Sequence, residues 1–111
     1  MNIALMQTQD RLVKTHARLR ERLRQEDDAQ VRRALLNELT EIMARVQMVG
    51  AVLFAEQSAQ LDAKAAAVKI ATTKINKAIR DMQSMRDLLD AISGFLALVD
   101  EAIDLAKLAM L

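Results

Sequence analysis

The chain contains no cysteine. That excludes disulfides, thiolate metal sites and cysteine nucleophiles. Proline is also absent, and the only glycines are Gly50 and Gly94, so the residues that most often stop a helix or open a turn are nearly missing. There is no tryptophan or tyrosine, and the aromatics are Phe54 and Phe95 alone. A β-sandwich or barrel draws on aromatic, β-branched and turn residues, which excludes an all-β fold. The longest unbroken apolar run, Met48–Ala55, has eight residues. Spanning a bilayer takes roughly 18–20, so no transmembrane segment is expected. The opening MNIALMQTQDR lacks the basic stretch and long apolar run of a signal peptide, and the expected location is cytoplasmic.

What the chain does have is alanine and leucine, 19 and 16 of them in 111 residues. Both are strong helix formers. At 52% hydrophobic and 28% charged, the composition is that of a folded domain rather than a disordered tail. The expectation is one all-α domain over residues 1–111.

Periodicity gives the helices. From Val68 to Met110, thirteen apolar positions alternate in steps of three and four, through Ile75, Met82, Leu89, Leu96 and Ile103. This is a coiled-coil seam, and it crosses Thr72-Thr73 and Gly94 without losing phase. It predicts one helix over about 61–110. In the first half, Leu35, Leu39, Ile42, Val46, Val49 and Leu53 form one seam, and Leu5, Leu12, Leu19 and Leu23 another. Their phases differ across Gln25–Asp28, where Asp27 with Gln30 offers a capping box, so the N-terminal arm is expected to kink or break near 25–28.

A helix running on from residue 28 to 110 would be about 125 Å long and could not bury its own seams. A fold-back at about 56–61 is therefore predicted, giving a long antiparallel, coiled-coil-like hairpin with arms of about 3–56 and 61–110. Charge supports that pairing. Arg11, Lys14, Arg18, Arg20, Arg22 and Arg24 are accompanied by one acid, Glu21; no acid interrupts Lys64–Arg80, and no base interrupts Asp87–Asp104. The hairpin lays basic 11–24 opposite acidic Asp100, Glu101 and Asp104. The alternative, an up-down-up three-helix bundle, would lay basic 11–24 against basic 64–80.

The last 17 residues, FLALVDEAIDLAKLAML, include 13 apolar ones. A surface helix keeps about half its circumference polar; this one has a second stripe, Leu88, Ala91, Phe95, Leu98, Ala102, Leu105 and Ala109, beside the seam. A helix with two apolar faces is held from two sides. These seven residues are the expected partner interface, most simply with a second copy in a homodimeric four-helix assembly, or with another helical protein.

Chemistry-bearing patterns are sparse. His16, in VKTHARLR, is the only histidine. All-α phosphotransfer domains of about this size carry such a histidine, closely followed by lysine and glycine; here Arg18 and Arg20 follow and no glycine does. The Glu-x-x-His pairs of di-iron bundles are missing around His16. No catalytic residue, cofactor site or metal site is expected. The basic segment 11–24 could hold phosphates, but no aromatics interleave it, and nucleic acid is a secondary reading. Length and class are similar to the small helical hairpins of the WXG100 type, from which this chain departs in having no tryptophan and no W-x-G at its expected turn. The function expected is a non-enzymatic helical interaction or structural module, with phosphotransfer through His16 and nucleic-acid binding through 11–24 as the alternatives.

Overall fold

The computed structural model describes all 111 residues, Met1–Leu111. It is a bundle of four helices without strands: α1 (Ile3–Arg24), α2 (Ala29–Gly50), α3 (Ala59–Arg80) and α4 (Met85–Ala109). The bundle measures 45 × 21 × 17 Å. None of the helices is long and apolar enough to cross a membrane.

Each helix starts at a side chain suited to it. The oxygens of Asn2, Asp28, Ser58 and Ser84 accept from backbone N–H groups of the first turns, at Leu5, at Gln30 and Val31, at Leu61, and at Asp87. These caps satisfy donors that a helix end leaves orphaned. The break between α1 and α2 falls at 25–28, within the stretch expected to kink, although Asp28 rather than Asp27 supplies the cap. The connection between α2 and α3 occupies 51–58, a few residues before the expected turn at 56–61.

The second arm departs most from expectation. Instead of one helix over 61–110, the chain breaks between Arg80 and Met85. Met82 adopts a positive φ of 50°, and the Gln83 N–H donates to the Ala78 carbonyl at 3.0 Å. This six-to-one bond around a left-handed residue is the Schellman ending of a helix. The seam hid it because Met82 kept the apolar phase, yet Met82 is 88% exposed. The overlooked signal was Ser84 with Asp87 three residues on, the pattern of a helix start.

The extra break changes which helices meet. α1 packs on α2 and α3, and α4 packs on α3 and α2, so α1/α4 and α2/α3 are the diagonals. α1–α2 and α3–α4 are antiparallel hairpins. They lie side by side, so α1 runs parallel to α3 and α2 parallel to α4. Gln9 Nε2 donates to the Val46 carbonyl at 3.1 Å across the first hairpin, and Gly50 leaves room for it, since a Cβ there would stand 3.3 Å from Gln9 Nε2. Across the second, Lys64 Nζ pairs with Glu101 at 2.6 Å. Between the hairpins, Arg45 donates from Nε and Nη2 to the two oxygens of Asp100 at 3.1 and 3.2 Å.

The core draws on all four helices in heptad steps: Leu5, Leu12 and Leu19; Leu35, Ile42 and Val49; Leu61, Val68 and Ile75. A seven-residue step keeps a nearly straight helix facing one way. α4 alone contributes two such series, Leu88–Phe95–Ala102 and Ile92–Val99–Ala106, all buried. Its unusual apolarity follows, because it presents one flank to α2 and the other to α3.

Candidate interaction surfaces

The stripe expected to meet a partner lies mostly inside the chain. Leu88, Phe95 and Ala102 are buried, with Phe95 fully so. Ala91, Leu98 and Leu105 are half-buried and pack on the core, and Ala109 is exposed. The stripe does hold α4 from a second side, but its centre is buried within the same chain. A partner could reach Phe95 only by opening the bundle.

The acidic residues of α4 are not opposite 11–24 either. Asp100 pairs with Arg45 of α2 and Glu101 with Lys64 of α3, because the break at 81–84 turns α4 away from α1. Arg45, also paired with Glu41 on its own helix, is held further into its charged form by the Asp100 bond first. Next to it, partial burial and the neighbouring charge of Glu41 raise the Glu38 carboxyl above its usual range.

With α4 diagonal to it, α1 lies beside α3. The arrangement that charge pairing argued against, basic 11–24 along basic 64–80, is the one adopted. α1 holds six basic and two acidic side chains, and α3 holds five and one; α2 holds three and two, and α4 two and five. α1 and α3 together therefore carry a formal excess of eight positive charges in a chain whose net charge is +1.

A second surface lies between α1 and α2. A cleft of about 700 Å³ runs along the outer side of this hairpin, from Arg32 to Gln47 on α2. Leu23, Leu36, Leu39, Met43 and Ala44 form its apolar floor, and Arg20, Arg24 and Arg32 stand around it with no carboxylate among the lining residues. Leu36 is 50% and Met43 39% exposed, seven residues apart on one outward stripe of α2. His16 also lines this cleft. Partial burial, and then the charge of Arg20, lower its pKa below the ordinary imidazole value, so the ring favours its neutral form. Sequence reasoning placed His16 on the Leu12–Leu19 seam but missed the cleft, because Leu36 and Met43 fall outside the buried seam of α2.

The fold and its surfaces define a small four-helix bundle with a segregated charge distribution and one apolar cleft. No protein-family model, curated protein or solved structure matches the chain.

Proposed function

We propose that the chain is a non-enzymatic helical interaction module, and that it docks an amphipathic helix with an acidic flank into the α1/α2 cleft. The observation that carries this reading is the pairing of an apolar floor, Leu36 and Met43 above all, with a rim of three arginines, of which Arg20 has no carboxylate partner, Arg24 pairs with Glu21 and Arg32 donates to the Leu23 and Glu26 carbonyls. Helix-in-groove recognition needs that combination: apolar anchors at helical spacing give affinity, and flanking charge chooses the partner and its orientation. The span from Arg32 to Gln47 is about 22 Å, which accommodates four turns of a bound helix. The docking surface thus moves from the 88–111 stripe, which the core occupies, to the opposite hairpin. A second copy of the chain is the rival occupant.

The test uses the full chain labelled with ¹⁵N and two 18-residue amphipathic peptides, one flanked by glutamates and one by lysines. The acidic peptide should shift the amide signals of Leu36, Met43 and Arg20, and Leu36→Glu should abolish the effect. Equal binding of both peptides, or shifts confined to other helices, would refute the reading. Concentration-dependent shifts of the same residues without peptide, with a doubled mass in sedimentation, would replace the foreign helix by a second copy.

A further inference from the structure

We infer that the α1/α3 face binds the phosphate backbone of a nucleic-acid duplex without reading its bases, a function that goes beyond the helix-docking cleft and lies on another side of the bundle. The parallel packing of α1 and α3 places Arg11 and Arg18 of one helix along Lys69 and Lys77 of the other. Two clefts mark the seam between them: one around Arg11 and Lys69, which Asp10 and Asp62 also line, and a second of about 450 Å³ lined by Arg18, Thr73, Asn76, Lys77 and Arg80 with neither an acid nor an apolar side chain. Lys14 pairs with Asp10, and Arg80 with Asp81, on or next to their own helices. Arg11, Arg18, Lys69 and Lys77 pair with no carboxylate anywhere in the chain.

Like charges gathered without counterions destabilise a fold. This chain has acids enough to answer them, but it spends Asp100 and Glu101 on Arg45 and Lys64. The unanswered cations run for about 10 Å along α1 and a similar distance along α3, a double row that matches a repeating anion. Three features choose among polyanions. Binding of single strands leans on aromatic stacking, whereas Phe95 is buried and Phe54, although exposed, lies in the 51–58 connection and not on α1 or α3. An anionic membrane surface calls for a continuous apolar stripe among the cations; Ile3, Ala4, Ala65 and Ala66 line the first cleft, but the Arg18 cleft has no apolar side chain to continue them. A duplex offers phosphates alone at its ridge, and lysine and arginine rows suffice for it.

Fluorescence anisotropy of the full chain with a labelled 20-base-pair duplex of arbitrary sequence tests this. Neutralising about four phosphates predicts a loss of affinity of about 100-fold between 50 and 200 mM salt. Changing the sequence of the duplex should leave affinity within about twofold. Arg18→Glu with Lys77→Glu should weaken binding at least tenfold, while the control Arg33→Glu, on α2, should not. Thermal melts of the double variant, required to show a folded chain at the assay temperature, keep loss of binding from being ascribed to unfolding. Absence of binding at 50 mM salt, or an equal loss in the Arg33 control, overturns the inference. So does tight binding to phosphatidylserine vesicles with none to the duplex, which would make the face a lipid surface. The peptide experiment reads the cleft amides of Leu36, Met43 and Arg20 and is independent of all these outcomes.

Discussion

The side-chain amide of Asn2 donates to the carbonyl of Ala55 at 3.1 Å, joining the start of the first helix to the connection between the two hairpins. The same amide reaches the Glu56 carbonyl, the backbone N–H of Asn2 donates to Leu53, and the side-chain oxygen caps α1 at Leu5. Asn2 is 1% exposed, so these bonds have no water to replace them. Asn2→Ala should lower stability by about 1–3 kcal/mol, the range for losing a cap and stranding buried carbonyls. Asn2→Asp keeps the cap acceptor but loses the donors, and should also be less stable than wild type in urea melts. If Asp restores full stability, the link to the connection contributes nothing.

Met82→Gly should stabilise the chain. Its φ of 50° lies where a non-glycine residue carries a penalty of roughly 1 kcal/mol, and its exposed side chain buries nothing. A coiled-coil seam continuing through Met82 would give the opposite result, a loss from placing glycine within a helix. Thermal melts of the single variant decide the sign.

Phe95→Ala should cost about 3–5 kcal/mol, as for large-to-small changes in a packed core. Phe95→Glu with Leu98→Lys should unfold the bundle, seen as lost helical circular dichroism at unchanged mass. A folded, helical product of half the wild-type mass would instead place Phe95 at an interface between chains.

His16 should make stability fall on mild acidification. The folded chain disfavours the charged imidazole, so the unfolded chain takes up the proton first; the contribution is complete above about pH 6.5 and is lost as pH falls from there toward the lower folded value. His16→Gln should flatten that part of the pH–stability profile. An unchanged profile would show that burial and Arg20 leave the ring unperturbed.

The helical class, the break at 25–28 and most core positions were legible because they depend on local composition and period. Leu5, Leu12 and Leu19 repeat every seven residues and face inward as the period requires. The pairing of helices was not legible, and a single residue shows why. Met82 fits the seam, so periodicity joins α3 to α4 and sets basic 11–24 opposite α4, whereas the turn at Met82 sets it beside α3. The stripe through Phe95 reads as a partner interface, yet its centre is buried within the chain, because an apolar face does not specify whether its cover comes from the same chain. The basic rows of α1 and α3 were each visible, but their meeting depends on a topology that charge complementarity argued against. Leu36 and Met43 stood outside the seam and gave the cleft no signal until α1 was placed beside them.

The side-by-side hairpins divide the contacts of the bundle into two kinds. Gln25–Asp28 and Asp81–Ser84 each close an antiparallel pair whose contacts are near in sequence, and such contacts cost little loop-closure entropy. The contacts between halves join residues farther apart, and they press the cationic flank of α1 onto that of α3. The native bundle therefore carries, along one edge only, a repulsion between its halves that dissolved ions screen.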